Sequence, residues 1–271
     1  MNKGLLCIVC IASAVIVLLN GQNGFSGDVP IYVKDGNAEI ARDGGTTRSE
    51  SVIVGKESEI KIPVINTSTA DRSSNIAIGE DATASRGSVT VEKAKVTGRV
   101  ANQSQVNKSS NAAIGKSAIA SMGSVSIDDS KVSGKVANQS RVNKSSNTAN
   151  GKSAIASMGS VTMNDSKVSG KINNKSNVNK SANVAMGQGA TAHMGSVSLE
   201  GSRVKGRISN ESGVDKSLNA AIGKDSEANM GSVKAENSEI TGEVINESTV
   251  RKSANAAISG GQANMGSVVI E

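Results

Sequence analysis

The 271-residue chain has no tryptophan, one tyrosine, one phenylalanine and one histidine. Aromatic side chains supply much of the buried area of an ordinary globular core, so their scarcity speaks against a conventional enzyme domain. The two cysteines, Cys7 and Cys10, both fall within the first ten residues. They lie in a segment, 1–26, that reads as a secretory signal peptide: Lys3, then an apolar stretch from Leu5 to Leu19, then Gly24-Phe25-Ser26, with processing expected near Gly27. The apolar stretch falls short of the ~20 residues a helical membrane span requires. A mature chain beginning there has no thiol, which excludes disulfides and thiolate metal sites. Neither a calcium-binding glycine nonapeptide, nor a phosphate loop, nor a Ser/His/Asp set is present, so no cofactor and no metal are expected. Low hydrophobicity and abundant Ser, Asn and Lys would suit disorder; the pattern described next argues against it.

What the sequence does have is a period. The stretch Asn111 to Ser145 begins again at Asn147, and the same frame starts at Asn75, Asn183, Asn219 and Asn255, each 36 residues from the last. A fixed period of this size marks a solenoid or array. Within one unit, small and apolar residues alternate: Asn111, Ala113, Gly115; Ala118, Ala120, Met122; Val125, Ile127. A longer run follows: Ser130, Val132, Gly134, Val136, Asn138, Ser140, Val142. Period two is the strand period, whereas a helix would need apolar residues three and four apart.

The columns are constant on one face only. The Val136 position reads Val64, Val100, Val136, Ile172, Ile208, Val244, while Ala137 gives way to Asn173, Ser209 and Ile245. Stacked strands predict this, with constant columns turned inward and variable ones turned to water. The expectation is an all-β, parallel β-solenoid (β-helix) of about six layers over residues 51–271. One flattened coil per unit is preferred, with two unequal coils left open. Corners are expected at Gly115 and at Met122-Gly123-Ser124, where glycine permits a tight backbone. An arm of Ala113, Ala118 and Ala120 is expected to face an arm of Val132, Val136 and Val142, small against large.

Inward asparagines need partners, which a stack supplies as a ladder of side-chain amides. Two ladders are expected: Asn66, Asn102, Asn138, Asn174, Asn210, Asn246, and Asn75, Asn111, Asn147, Asn183, Asn219, Asn255. The sequence Asn138-Gln-Ser140 and its copies match a glycosylation sequon, but a sugar on every inward Asn would break the stack. His193 shares its column with Ser121, Ser157 and Asn229 and is expected at the surface. Asp128-Asp129, variable between copies, is expected at a solvated corner.

Residues 27–50 form a pre-repeat segment that caps the array or stays apart from it. Pro30, Asp35-Gly36 and Asp43-Gly44-Gly45 are turn signals there, and Ile31-Tyr32-Val33 and Ala38-Glu39-Ile40 are candidate short strands. One residue is inserted near Gly55-Lys56-Glu57, and one is missing before Met265. The last unit stops after Val268-Val269-Ile270-Glu271. An unpaired strand edge is a template for another chain, so Val52, Val54, Val268 and Ile270 are the expected assembly edges, with Pro63 and Glu57 blunting the first.

The formal net charge is +6. Arg72, Lys108, Lys144, Lys180, Lys216 and Lys252 share one column. Lys95, Lys131, Lys167 and Arg203, and Arg99, Lys135, Lys171 and Arg207, form two more, each ending in an acid at Glu239 or Glu243. Such stripes keep a sheet surface soluble and unpaired; they also attract anionic polymers such as extracellular DNA or polysaccharide. The absence of interleaved aromatic residues argues against nucleic-acid recognition by base stacking.

The element Asn-x-Ser followed by Asn-x-Ala-x-Gly, as in Asn138-Gln-Ser140 with Asn147-Thr-Ala149-Asn-Gly151, resembles the imperfect repeats of secreted bacterial functional amyloids of the Fap type, and its Asn-x-Ala part those of curlins. The resemblance covers 51–271 and implies secretion, assembly into cross-β fibres and a role in the biofilm matrix. Asn111-Ala-Ala-Ile-Gly115 with Ala118-Ile-Ala120 resembles the head repeats of trimeric autotransporter adhesins, which implies instead a non-polymerising surface adhesin or stalk. The expectation is therefore a secreted or cell-surface structural protein without catalytic activity. Its partners are copies of itself, with anionic extracellular polymers and an export pore or nucleator as further candidates.

Overall fold

The computed structural model describes residues 7–11, 14–18, 39–41, 46–49, 51–54, 59–60, 64–78, 82–259 and 261–271, with side chains at 51, 64–78, 82–259 and 261–271. The expected cleavage site, the Ile31-Tyr32-Val33 strand, the Asp35-Gly36 turn, Glu57 and Pro63 lie outside the described residues. Within the first segment, Cys7–Ile11 pairs antiparallel with Ala14–Leu18. Among the described residues no helix is long and apolar enough to cross a membrane.

From Glu39 onward the chain is a parallel β-solenoid. One coil comprises five strands: Ser110–Ile114, Ile119–Met122, Val125–Asp128, Lys131–Asn138 and Arg141–Asn143. We refer to them as the Asn–Ala, Met, Val, long and short strands. Each pairs with its equivalent in the next copy: Ser110 with Ser146, Ile119 with Ile155, Val125 with Val161, Lys131 with Lys167, and Arg141 with Asn177. All five offsets are 36, so one repeat is one coil. The stack extends further toward the amino terminus than the repeats indicate. Glu39–Ala41 pairs with Asn75–Ala77 and Thr46–Ser49 with Thr83–Arg86, so part of the expected pre-repeat segment belongs to the sheets. The offset is 36 at Glu39–Asn75, 37 at Thr46–Thr83 and Val52–Val89, and 36 again at Glu59–Lys95. The coil that opens at Glu39 is thus one residue shorter than its successor between Ala41 and Thr46 and one residue longer between Val54 and Glu59. The offset falls to 35 at Glu227–Gln262, which puts the missing residue between Ile258 and Gln262.

Three corners of the coil are built alike. Lys108, Gly123 and Asp129 take left-handed φ angles of 49°, 61° and 45°. The serine after each donates its hydroxyl to the carbonyl two residues back: Ser109 to Asn107 at 2.8 Å, Ser124 to Met122 at 3.2 Å, and Ser130 to Asp128 at 2.7 Å. These hydroxyls also accept backbone N–H groups from a neighbouring coil, as Ser145 does from Ser109 at 3.2 Å. Serine thus satisfies the amides that a tight corner leaves over.

The core has two lobes joined at a waist. In one lobe Ala113, Ala118 and Ala120 close on one another through the whole stack. In the other, Val125 and Ile127 pack on Val132 and Val136. Met122 and Val142 meet at the waist. Small therefore faces small and large faces large, contrary to the expected interdigitation. The reason lies in Asn111: its Nδ2 donates to Ser121 O across the narrow lobe at 3.2 Å. The two strands are held one asparagine apart, and at close-packed density only alanine fits between them.

A second departure lies in the long strand. Gly134 has a φ of +144°, and a Cβ placed there would sit 1.9 Å from Gly98 O. Only glycine fits this mirror-image extended conformation, which marks a bend. Beyond it Ala137, in a variable column expected to face water, is 1% exposed.

Candidate functional site

The first inward asparagine column forms a continuous chain of hydrogen bonds. Nδ2 of Asn66 donates to Oδ1 of Asn102 at 3.0 Å, Asn102 to Asn138 at 3.1 Å, Asn138 to Asn174 at 3.1 Å, Asn174 to Asn210 at 3.1 Å and Asn210 to Asn246 at 3.2 Å. The second runs the same way, from Asn75 through Asn111, Asn147, Asn183 and Asn219 to Asn255, with distances of 2.8–3.0 Å. Both ladders are polar, with every donor pointing toward the carboxy-terminal coil. The sequon is explained by burial, since Asn138 and Ser140 are 0% and 2% exposed. A third ladder was missed. On the outer face of the short strand, Asn179 donates to Asn143, Asn143 to Asn107 and Asn107 to Asp71. Its donors point the opposite way. The recurring Val-Asn-Lys-Ser of the sequence was its signal.

Arg72, Lys108, Lys144, Lys180, Lys216 and Lys252 all occupy the left-handed corner before the Asn–Ala strand, with φ of 47–50°. They line an open groove of 790 Å³ together with the serines that follow them. A left-handed L-residue costs roughly 1–2 kcal/mol, and glycine, used at the Gly123 corner, would avoid that. The other two basic columns end in ion pairs with the acids above them, Arg203 with Glu239 and Arg207 with Glu243.

On the last described coil, Met265, Val268 and Ile270 are 45%, 47% and 58% exposed. Their counterparts one coil earlier, Met230, Val233 and Ala235, are fully buried. The coil above is thus what buries each coil's edge. At the other end Val52 and Val54 pair with Val89 and Val91.

The side-chain network the sequence reading misplaced lies in a re-entrant angle. The Met and Val strands meet at Gly123 so that their outer faces close on a groove of 380 Å³ running along the stack. His193, expected at the surface, is 3% exposed at its floor. Asn229 Nδ2 lies 3.3 Å from His193 Nδ1 and also donates to Glu227. Because the amide nitrogen can only donate, the neutral imidazole carries its proton on Nε2. Lys234, 5% exposed, spans the groove to Glu227 Oε2 at 2.7 Å and Glu236 Oε2 at 2.8 Å.

Burial removes hydration from the His193 ring and lowers its pKa to about 4, against a smaller upward pull from Glu227. Burial alone would raise Glu227, but the hydrogen bond from Lys234 and nearby positive charge hold it below the usual carboxylate range. Burial alone would lower Lys234; its bonds to Glu227 and Glu236 leave it raised. Asp128 lies on the lip of this groove, and Asp129 is exposed at its left-handed corner. Among the described residues no cluster of three His, Cys, Asp or Glu side chains is placed to hold a metal. Compared with protein-family models, curated proteins and solved structures, the chain has no match in any of the three.

Proposed function

We propose that the protein is a secreted structural protein that assembles head to tail, coil upon coil, into extracellular amyloid-like fibres. One observation supports this reading above the others: from Asn75 to Arg251 each coil presents the next with the same five strand edges, the same two asparagine columns and the same register. The surface between two coils of one chain is therefore equally suited to join coils of different chains. An uncovered coil edge exposes unpaired backbone groups and apolar side chains, the condition under which strands recruit one another. The donors of both ladders point one way, so growth by this route is polar, joining the carboxy-terminal face of one molecule to the amino-terminal face of the next.

The ladder of six corner cations is the second element of the proposal. Its charges stack at the coil spacing of about 4.8 Å and suit anionic extracellular polymers. Binding of this kind weakens steeply with salt, so salt-insensitive retention would remove it from the reading. For assembly itself, secreted protein is followed by thioflavin fluorescence, negative-stain microscopy and fibre diffraction. Fibres with a meridional reflection near the strand spacing, seeded by preformed fragments, are expected. A discrete particle at all concentrations would refute assembly and favour the rigid stalk or adhesin.

A further inference from the structure

The groove between the Met and Val strands has a feature that assembly does not require. Along its floor, in register, stand Ser85, Ser121 and Ser157, which are 3%, 6% and 4% exposed. Among the described residues none of their hydroxyls has a hydrogen-bond partner. Three hydroxyls aimed into one channel, none with a partner in the protein, are free to accept from whatever enters it. One lip carries Glu92, Asp128 and Glu200, and no described cation pairs with any of the three. The opposite lip carries the side chains of Ile119 and Ile155.

The protein itself displays an occupant for such a channel. In the fifth coil, the position held elsewhere by Thr90, Ser126, Thr162 and Ser198 becomes Lys234. Its butyl-ammonium chain lies in the groove, with the ammonium bound to a carboxylate on each lip, Glu227 and Glu236. In the four coils before it the groove continues without that side chain. One lip carries Glu92, Asp128, Asn164 and Glu200, with Asn164 donating to Asp128 at 2.9 Å. The other lip carries Thr83, Ile119, Ile155 and Thr191, and the floor Ser85, Ser121, Ser157 and His193.

We propose that this part of the groove binds a linear aliphatic polyamine laid along the stack. Its ammonium groups sit against Glu92, Asp128 and Glu200 and hydrogen-bond to the floor serines, and its methylenes lie on Ile119 and Ile155. Hydroxyl oxygens and carboxylates are the acceptors an ammonium group needs. Groups three or four methylenes apart recur on the same scale as the coils. The groove lies on the flank of the stack, so the inference holds whether or not the chain assembles.

The test is isothermal titration calorimetry of the full chain with spermidine, at low and high salt. Saturable binding is expected, weakened about tenfold or more in the Asp128→Asn/Glu200→Gln double variant and unchanged in Gln139→Ala, an exposed position that lines neither groove. Lys234→Met frees Glu227 and Glu236, extends the acidic channel and should tighten binding severalfold. This gain keeps the proposal open to refutation should the double variant lose its β-sheet circular dichroism. No saturable heat at millimolar spermidine, or equal affinity in the folded double variant, would overturn it. A lysine side chain from another protein offers the same alkylammonium. If Nα-acetyl-lysine methylamide binds as tightly as spermidine, the groove belongs to a partner's lysine and the polyamine is ruled out.

Discussion

Replacing Asn138 by alanine breaks the first ladder at its middle. Asn138 accepts from Asn102 Nδ2 at 3.1 Å and donates to Asn174 Oδ1 at 3.1 Å and Ser160 O at 3.4 Å. Asn102 keeps a bond to Ser104 Oγ at 3.2 Å, so its amide is only partly orphaned, while Asn174 Oδ1 loses its ladder donor. Counting about 1 kcal/mol for each of the three hydrogen bonds lost and 1–3 kcal/mol for a buried polar atom left unmatched gives a destabilisation of about 4–6 kcal/mol. The control is the neighbouring residue. Gln139 is exposed and accepts one bond, from Gln103 Nε2 at 3.0 Å, so Gln139→Ala should move stability by less than about 0.5 kcal/mol. Urea unfolding at fixed protein concentration, with hydrogen exchange to locate the opened coils, measures both. Coils interact with their nearest neighbours, so exchange should rise in the coils of Asn102, Asn138 and Asn174 and little elsewhere. If the two variants unfold within 0.5 kcal/mol of each other, the inward amides do not hold the stack together and the account of the core fails.

Three further outcomes follow from particular residues. Gly134→Ala places a methyl 1.9 Å from Gly98 O; displacing that backbone should destabilise by about 3 kcal/mol, read as a fall in urea midpoint. Ala120→Leu puts a branched chain into the narrow lobe at a position that is 0% exposed; overpacking of about 1–3 kcal/mol or more is expected, while Ile119→Leu on the groove lip should be near neutral in the same assay. The His193 pKa of about 4 lies below its ordinary 6.5, so the unfolded chain takes up the proton first. Stability is then fully present above about pH 6.5 and falls as the pH drops toward 4, by up to about 3 kcal/mol. His193→Ser, the residue that three other coils use, should flatten that slope in urea midpoints measured against pH; an unchanged slope would show that His193 is not its source.

The columns that run inward were legible because a period of two with one side buried leaves only one set of positions constrained. Val136 and Asn138 barely change from copy to copy, and the offset of 36 in every sheet follows from that constancy. What the alternation could not convey is the sign of a bend. Gly123 folds two outer faces toward each other, so His193, outward by count, ends at the floor of a groove. Gly134 does the same for Ala137. Alternation assigns faces of a strand, and whether a face meets water depends on the angle between strands, which a glycine's φ decides. The pairing of small with small was hidden for a similar reason: the lobe's width is fixed by Asn111 reaching across it, a contact between strands. The third asparagine ladder was visible as a recurring residue and was passed over because it faces outward.

The single offset shared by all five sheets makes the coil a unit of length. Gain or loss of one whole copy changes the height of the particle by about one strand spacing, near 4.8 Å, while each ladder reconnects donor to acceptor across the junction. Among the described residues the one-residue discrepancies fall in the two end coils, between Ala41 and Thr46, between Val54 and Glu59, and between Ile258 and Gln262. Variants differing by multiples of thirty-six residues should therefore fold alike, in a molecule whose reach is set by copy number.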